Sequence, residues 1–493
     1  MDRQALGLAA VLGLGVALAA ACGSSSKGNG ASGGDGGTGS SGSSSSGASS
    51  SGAKGDGGSS SGSASSSGSG SGGSSSGGAS SSGGTSSSGG DGGTLPSGRS
   101  FPDTWSTVAI LTDQLPTMSA AQTNFAATHY VGTEKQLLPV TQALRAINPD
   151  FLVLHYHLAM WQSGPGVDFI IDGTSWGNDL STVTQNEDWF WHNANGTTSA
   201  DRVQAPDTKY LMNVSVQGFA DYWVSSLEQQ VADGQYDGIM FDSASPSLLQ
   251  GWCGGSGANQ DPRLAGTAAK DTTFPELGGT TWIAAWQTWM TALNAALSAK
   301  GIPLIPNDGA FITGWDDTNY ALSAGIFSEG FGDPTFAESD WQAATNELLG
   351  LAAADKLMIL QNYLSASTDA ATRMYYLGNY LLVKGHHTYL DYFAGGPLEW
   401  YPEWKVDLGA PSGAQATSVA SMLSGGVYRR DFAKGSVLVN PSSSSVTVTI
   451  TGNQVVPSGG GTVDAAGDEP GTMSTSAVTS VTLAPTSAAI VLH

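Results

Sequence analysis

The sequence predicts an α/β protein: a (β/α)8 TIM barrel, followed by a small C-terminal antiparallel β-sandwich and preceded by a disordered N-terminal tether. Three observations support this prediction. Between residues 100 and 409, short β-prone runs alternate with longer helical stretches, which is typical of a parallel sheet covered by helices. Residues 410–493 contain no tryptophan and carry β-type runs separated by turn residues. Residues 23–99 are nearly all serine and glycine.

The first 22 residues have the features of an export signal. Arg3 is followed by an apolar stretch from Ala5 to Ala21, and small residues precede Cys22. The stretch is short for a stable membrane span. Residues 18–22 resemble a bacterial lipoprotein signal, although such signals usually carry leucine where this chain has Ala19. We therefore expect export, and a lipid on Cys22 that anchors the protein to the bacterial cell envelope, at the outer membrane or cell surface.

The tether that follows, residues 23–99, has no means of forming a core. It has no aromatic residue and almost no branched aliphatic residue before residue 95. Such a chain behaves as a flexible coil with a root-mean-square reach of roughly 50 Å. We expect it to hold the folded part of the protein away from the membrane.

Eight β-type runs are predicted in the barrel segment. They cover residues 108–112, 129–132, 151–157, 238–242, 303–306, 325–328, 357–361 and 388–392. Helices are predicted between them, at residues 220–231, 282–300 and 343–354. The segment 282–300 is the clearest, because Trp282, Trp286, Trp289 and Leu293 recur at helical spacing before Gly301.

Two further segments complete the expected architecture. Residues 160–210 are too long for an ordinary connection, so we expect them to form a functional excursion over the barrel mouth. Beyond residue 410, the runs 436–441, 446–450 and 478–483 combine β-branched residues with turn residues between them. These runs are the basis for the predicted β-sandwich.

The charge of the chain restricts its partners. The formal net charge is −23, with only 18 lysines and arginines among 493 residues. This balance argues against nucleic acid or anionic lipid as a partner and fits neutral or cationic material. After removal of the signal, Cys253 is the remaining cysteine, so no internal disulfide is expected. We expect a monomer that contacts the membrane through its lipid alone.

No cofactor or metal site is predicted. The chain lacks a phosphate-binding GxxxxGK loop, an HExxH pair and a dinucleotide fingerprint at the start of a βαβ unit. His386 and His387 point in opposite directions if extended, and no acid or cysteine completes a metal-binding spacing.

Two predicted strands deliver a carboxylic acid to their carboxyl ends. The run 238–242 ends at Asp242, and the run 325–328 is followed by Glu329. Barrel enzymes keep their chemistry at this end of the strands. Two such acids form the machinery of glycoside hydrolysis, one as nucleophile or base and the other as proton donor. The alternative is that each acid merely caps the following helix. We predict Asp242 and Glu329 as the catalytic pair.

Seven further residues are predicted to bind substrate, because they lie at strand ends or in loops near them. They are His155, His157, Trp161, Trp189, Asn307, Asp308 and Asp391. The loop tryptophans could stack on sugar rings. Asp308 could replace Glu329 as the acid, although its Asn-Asp-Gly setting is equally typical of a turn. The two histidines could equally be core residues with satisfied hydrogen bonds.

The same residues carry a family resemblance. The matching motifs are residues 236–242 (YDGIMFD), 188–190 (DWF) with 193–196 (NANG), and 328–331 (SEGF). They resemble TIM-barrel glycoside hydrolases related to endo-α-1,4-polygalactosaminidases and, more distantly, to retaining α-galactosidases. Residues 430–441 resemble the opening of the β-sandwich that follows many glycosidase barrels.

The resemblance implies a function and roles for two residues. In those relatives the acid that ends strand four is the nucleophile and the acid that ends strand six is its partner. Asp242 and Glu329 lie on the fourth and sixth predicted strands. The implied function is a cell-surface glycoside hydrolase that acts on a polysaccharide or oligosaccharide. The alternative is a carbohydrate-binding lipoprotein that has kept the barrel without its chemistry.

Overall fold

The computed structural model describes residues 95–164, 180–194, 196–205, 209–309, 320–394 and 397–493. The expected export signal, Cys22 and the tether up to residue 94 lie outside the described residues, as does part of the expected excursion. Within the described ranges, no helix has both the length and the apolar character needed to cross a membrane. The expected domain boundaries at residues 22, 99 and 409 stay predictions.

Eight parallel strands form the centre of the molecule, and every predicted strand has a counterpart among them. They are β1 (Leu111–Thr112), β2 (Gly132–Glu134), β3 (Leu152–Leu158), β4 (Gly238–Asp242), β5 (Leu304–Pro306), β6 (Gly325–Glu329), β7 (Leu357–Tyr363) and β8 (Thr388–Phe393). Strands β1 to β5 form one sheet in chain order, and β6 to β8 form a second. Two isolated parallel bridges join them, Asn307 with Phe327 and Ile110 with Leu390. The α/β class with a parallel sheet is confirmed.

The second strand lies later than predicted. His129, where the run was expected to begin, is the last residue of the preceding helix and stacks on Phe125 with 3.8 Å between ring centroids. The strand itself is Gly132–Glu134 and is followed by Lys135. Its polar sequence obscured it, because β-branched and aromatic composition marks a strand more clearly than Gly-Thr-Glu does.

Six longer helices connect or cover the strands. They are α1 (Ala120–His129), α2 (Leu138–Ile147), α3 (Gln217–Gly234), α4 (Trp282–Ser298), α5 (Glu338–Ala353) and α6 (Ala370–Val383). Helix α4 begins where the side chain of Thr281 accepts a hydrogen bond from the backbone N–H of Ala284. Its tryptophans, Trp282, Trp286 and Trp289, are all buried, as their helical spacing predicts.

The described part of residues 160–210 includes one strand of a short antiparallel pair that lies next to β3 and β4. Trp161–Gln162 pairs with Tyr210–Leu211 in antiparallel fashion. Arg202 pairs with Glu187 and lies over the ring of Phe190, with 3.7 Å from its guanidinium carbon to the ring centroid. This ion pair and ring contact join Arg202 to residues 187–190 within the described part of the excursion.

The C-terminal strands form one antiparallel sheet of six strands. In chain order they are β9 (Leu423–Ser424), β10 (Val427–Phe432), β11 (Gly435–Asn440), β12 (Val446–Ser458), β13 (Thr472–Leu483) and β14 (Ser487–Leu492), and the spatial order is β9-β10-β11-β14-β12-β13. Val437, Val439 and Ile490 belong to the main core. Residues on the other face, among them Leu438, form a separate small core. The β-sandwich stays a prediction.

The sheet packs closely on helix α6. A Cβ atom added at Gly378 would lie 2.4 Å from Cβ of Ala488, so the contact requires glycine. Arg430, on β10, donates hydrogen bonds to the carbonyl oxygens of Leu381, Leu382 and Lys384 at the end of α6. These carbonyls have no partner within their helix, and a cation is the favoured group to bind them.

Candidate active site

Each parallel strand brings a polar side chain to its carboxyl end. The ladder places several of them side by side, since Gln361 is the register partner of both Glu329 and Asp391. We call the eight residues at these positions the strand-end set: Asp113, Glu134, Tyr156, Asp242, Asn307, Glu329, Gln361 and Asp391. They lie where parallel-barrel enzymes carry their chemistry.

One amide group bridges Asp242 and Glu329. Nδ2 of Asn307 donates to Oδ1 of Asp242 at 2.8 Å and to Oε2 of Glu329 at 2.7 Å. Because both bonds end on the same nitrogen, the two carboxyl oxygens lie no farther apart than the sum of these distances, 5.5 Å. The backbone N–H of Gly309 donates to Oδ1 of Asn307 at 2.9 Å, which fixes the orientation of the amide.

A tyrosine hydroxyl completes the hydrogen bonding of each acid. Tyr156, on β3, donates to Oδ2 of Asp242 at 2.5 Å. Tyr363, the last residue of β7, donates to Oε1 of Glu329. Each carboxyl group is therefore held by two uncharged donors that come from neighbouring strands. A carboxyl fixed in this way keeps one orientation relative to a substrate in the mouth.

The surroundings of Glu329 favour its protonated form. Burial, first of all, and the nearby charge of Asp242 raise the pKa of Glu329 above its usual value. Hydrogen bonds from Tyr363 and Asn307 oppose this rise without cancelling it. Two carboxylates at such a short distance repel each other, so one proton on the pair is favoured. The direction of the shift assigns that proton to Glu329.

The backbone turns sharply after each acid. Ser243 follows Asp242 with φ of 55°, a left-handed conformation that is costly for a residue other than glycine. Gly330 follows Glu329 with φ of 91°, where glycine is needed. Trp161 donates its indole N–H to the carbonyl oxygen of Ser243 at 3.0 Å and so supports the first of these turns.

The two tryptophans predicted to bind substrate pack against other parts of the protein. Trp161 is fully buried beneath the turn after Asp242 and presents no ring face to solvent. Trp189 is half-buried and packs against Tyr222, with 5.3 Å between ring centroids. No described contact connects Trp189 with Asp242 or Glu329.

The two histidines have the contacts of core residues. Nε2 of His155 lies 2.7 Å from Oε1 of Gln230 on α3, and burial lowers the pKa of His155 to about 3. His157 packs edge-on against Trp223, also on α3. Strand alternation therefore points both rings towards the helix layer and Tyr156 towards Asp242.

The remaining predicted ligands belong to the strand ends. Asn307 forms the bridge described above. Asp308 is buried, and its backbone N–H donates to the carbonyl of Phe327 at 3.3 Å. Oδ2 of Asp391 accepts the backbone N–H of Asp113 at 3.1 Å. Burial, first of all, and the charge of Asp113 raise the pKa of Asp391 well above its usual value.

Sequence reasoning missed a lysine at the end of β2. Lys135 forms an ion pair with Asp113, and its Nζ lies 4.9 Å from the ring centroid of Tyr156. Burial alone would lower the pKa of Lys135, but Asp113 and Glu134 raise it above its usual value overall. Glu134 and Lys135 were not predicted as strand-end residues, because β2 was expected to end at residue 132. Tyr363 was missed because it lies two residues beyond the predicted end of β7.

The described residues include no group of three histidine, cysteine, aspartate or glutamate side chains placed to hold a metal ion. Cys253, the cysteine of the head region, is fully buried.

Structural comparison finds carbohydrate-active proteins at low similarity. A Paenibacillus cycloisomaltooligosaccharide glucanotransferase has a TM-score of 0.34 at 10% identity, over 79% of this chain and 55% of that chain. A GH31 dextranase of Flavobacterium johnsoniae has 0.38 at 9% identity, over 79% and 52%. A GH36 α-galactosidase of Geobacillus stearothermophilus has 0.38 at 8% identity, over 78% and 56%. The chain spans about half the length of these three proteins.

Sequence comparison gives a family. No curated protein matches the chain. A family model described as hypothetical glycosyl hydrolase family 15 matches residues 145–436. The match covers more than half of the chain and includes β3 to β8, with Asp242, Asn307 and Glu329. The chain therefore belongs to the hypothetical glycosyl hydrolase family 15.

Proposed function

We propose that this protein hydrolyses O-glycosidic bonds of a polysaccharide or oligosaccharide, with Asp242 and Glu329 as its catalytic pair. The observation that carries the proposal is the bridge through Asn307, which holds two carboxyl groups side by side at the carboxyl ends of parallel strands. Two carboxyl groups that flank the scissile bond are the common requirement of most glycosidases. Family membership supports the same reaction class.

The spacing of the acids supports retention of anomeric configuration. Retaining enzymes place their carboxyl groups about 5–5.5 Å apart, whereas inverting enzymes leave about 6.5–9.5 Å for a water molecule. The upper limit of 5.5 Å between the two bridged oxygens agrees with the retaining spacing and lies below the inverting one, which supports retention. Asp242 is accordingly the nucleophile and Glu329 the acid and base.

The two acids then have separate tasks in each step. In the first step a carboxylate oxygen of Asp242 attacks the anomeric carbon, the bond to the leaving oxygen breaks, and Glu329 gives its proton to that oxygen. In the second step Glu329 takes a proton from water, the water oxygen attacks the same carbon, and the bond to Asp242 breaks. Glu329 ends the cycle protonated, as its raised pKa favours.

The proposal includes a closed (β/α)8 barrel around this site. The two isolated bridges that join β5 to β6 and β8 to β1 support closure, because each pairs strands at the free edges of the two sheets. The separate core on the outer face of the C-terminal sheet supports a sandwich-like domain there. We also propose that the protein is a monomer attached to the cell surface by a lipid on Cys22, as the sequence of residues 1–22 suggests.

A substrate screen tests the function. The mature full chain would be incubated with bacterial and fungal polysaccharides while reducing ends are measured, with Asp242→Asn beside it. Asp221→Asn is the matched control, because Asp221 is an exposed aspartate on α3. Activity that Asp242→Asn removes and Asp221→Asn keeps would support the proposal. Sugar binding without any release of reducing ends would instead favour the non-catalytic carbohydrate-binding alternative.

A further inference from the structure

The strand-end set divides into two halves that differ in hydrogen bonding. Its members on β3 to β6 are bonded to one another through Asn307. On β7, β8 and β2, the described structure offers no partner to Oε1 of Gln361, Oδ1 of Asp391 or either carboxyl oxygen of Glu134. These three side chains are at most 1% exposed.

Buried polar atoms of this kind are uncommon. Most buried donors and acceptors in proteins have a partner, and a partnerless one costs free energy in the folded state. Four such atoms on three members of one strand-end set, on β7, β8 and β2, call for a common explanation. A ligand that brings its own donors and acceptors would supply the missing partners.

The position of these atoms fits a ligand that also contacts Asp242 and Glu329. Gln361 stands beside Glu329 in the ladder, and Asp391 stands beside Gln361. Adjacent strands lie about 4.8 Å apart, so the row begins within one strand spacing of the acid. The backbone N–H of Asp113 binds Asp391 and continues the row towards Glu134 on β2.

The local charges limit what these groups can bind. Among the described residues, Lys135 is the cation next to Asp113 and Glu134, and its Nζ is bonded to Asp113. Burial and the charge of Asp113 raise the pKa of Glu134 well above its usual value, and the pKa of Asp391 is raised in the same direction. As uncharged carboxylic acids, both can donate one hydrogen bond and accept another. Sugar hydroxyl groups make the same two kinds of bond.

Resting on the proposed glycosidase function, we propose that Glu134, Gln361 and Asp391 form the subsite for the sugar unit that becomes attached to Asp242. The chemical class of this unit is a neutral sugar, recognised through its hydroxyl groups. A uronic acid unit would place a carboxylate beside a cation, Lys135, that is already paired with Asp113, so its charge would be left without a partner and the site rejects it. These three residues determine specificity and take no part in bond cleavage.

The test compares Glu134→Gln and Asp391→Asn with the unchanged chain. The probes are p-nitrophenyl glycosides of neutral hexoses, of a hexuronic acid and of an amino sugar. We expect the variants to raise KM for the neutral glycoside by about tenfold or more, with a smaller change in kcat. The NH2 group of each variant donates only, whereas the carboxyl O–H that it replaces can both donate and accept a hydrogen bond. Glu347→Gln on the exposed face of α5 is the matched control and keeps KM unchanged.

Thermal unfolding separates recognition from folding. A purely structural role for Glu134 would lower the unfolding midpoint in Glu134→Gln together with activity. Our proposal expects an unchanged or higher midpoint, because an amide carries no charge at any pH, whereas a buried carboxyl group becomes costly when it ionises. An unchanged KM in both variants, or faster cleavage of the uronide or the amino-sugar glycoside than of every neutral glycoside, would overturn the proposal.

A binding measurement distinguishes failure of the proposed subsite from failure of the proposed glycosidase function. If the unchanged chain cleaves no probe, calorimetric binding of neutral oligosaccharides to the unchanged chain and to Glu134→Gln replaces kinetics. Binding that weakens in Glu134→Gln would keep the subsite while the glycosidase function fails. No binding of any neutral oligosaccharide would reject the subsite as well.

Discussion

Tyr363 donates its hydroxyl hydrogen to Glu329 across the β6–β7 pair. The bond lowers the pKa of Glu329 against the stronger effects of burial and of Asp242. Burial and the charge of Glu329 in turn raise the pKa of the tyrosine, so the tyrosine remains a donor at every working pH. The pair therefore sets the pH at which the proposed acid loses its proton.

Replacing Tyr363 with phenylalanine should move the pH profile of the enzyme. Without the donor, the pKa of Glu329 rises further, so the alkaline limb of kcat/KM shifts to higher pH. The profile would be measured on a substrate with a basic leaving group. Tyr376→Phe, a buried tyrosine on α6, is the control and leaves the limb in place. If the alkaline limb of kcat/KM does not shift in Tyr363→Phe, this tyrosine does not control the pKa of Glu329.

The two catalytic acids should differ in how their loss depends on the leaving group. Asp242→Asn removes nearly all activity on every substrate, because each needs attack at the anomeric carbon. Glu329→Gln is milder on activated aryl glycosides, since general acid assistance of about 10²–10⁴-fold matters when the departing oxygen is basic. Initial rates on both substrate classes measure the difference.

Azide provides a further check of the base role. It should partly restore Glu329→Ala if the mechanism is retaining, because it replaces the water that Glu329 would activate. Equal losses on both substrate classes in Glu329→Gln would exclude the acid role for this residue. Full activity of Asp242→Asn would favour the carbohydrate-binding alternative.

The stability of the protein should depend on pH through Glu399. Burial raises the pKa of this carboxyl to about 7, while hydrogen bonds from the backbone of Ala394 and from Tyr401 partly oppose the rise. Between about pH 4.5 and 7 the unfolded chain loses this proton and the folded chain keeps it, so the contribution to stability falls as pH rises through that window. The loss amounts to at most about 3 kcal/mol.

Glu399→Gln isolates this effect. Denaturant unfolding at pH 5 and pH 7.5 should show a smaller fall with rising pH in the variant than in the unchanged chain. His155 acts in the opposite direction, because its lowered pKa of about 3 costs stability as pH falls below about 6.5. Both proteins contain His155, so its contribution cancels when the pH dependence of Glu399→Gln is subtracted from that of the unchanged chain. Equal pH dependence in both would contradict the assignment to Glu399.

Two glycines in neighbouring helices should respond oppositely to alanine. At Gly378 on α6, the new Cβ would lie 2.4 Å from Ala488 of the C-terminal sheet, so Gly378→Ala lowers the unfolding midpoint. At Gly350 on α5, no atom lies within 4 Å of the new Cβ. Gly350→Ala should stabilise by about 0.5–1 kcal/mol, because alanine favours the helix. Stabilisation by both would show that the sheet does not pack as described.

Cys22→Ser tests the membrane anchor. If Cys22 carries the lipid, the variant leaves the membrane fraction or retains its signal, and the mature mass falls by the mass of the lipid. Fractionation and intact-mass measurement of both proteins would show this. An unchanged distribution and mass would reject the lipoprotein assignment.

The sequence predicted those parts of the fold that depend on local pattern. The strand that ends at Asp242 combines an apolar run with a terminal acid, and helix α4 repeats its tryptophans at helical spacing, so both were recognisable. Strand β2 was placed too early, because Gly132–Glu134 has no apolar pattern. The bridge through Asn307 joins residues 65 and 22 positions away in the chain, a contact that no local pattern contains.

The orientation of side chains was also beyond local reasoning. Alternation along β3 allowed either His155 and His157 or Tyr156 to face the acids, and only the packing of α3 against the strand decides between them. Likewise the C-terminal runs predicted strands correctly in position. Which of their side chains point to each face of the sheet depends on the pairing of β12 with β13. The register of this pair shifts between Thr449 and Gly452.

The amide of Asn307 has two N–H groups, and the structure uses one for each acid. In the proposed reaction, negative charge passes from Asp242 to Glu329 and back, so the acid that needs the stronger hydrogen bond alternates. An amide already bonded to both can follow the charge by shortening one bond as it lengthens the other, with no change of rotamer. Its oxygen stays fixed to the backbone of Gly309 throughout. Asn307 thus keeps the two acids at a constant separation. An aspartate at this position would add a third carboxyl group, which would compete with Asp242 and Glu329 for the shared proton.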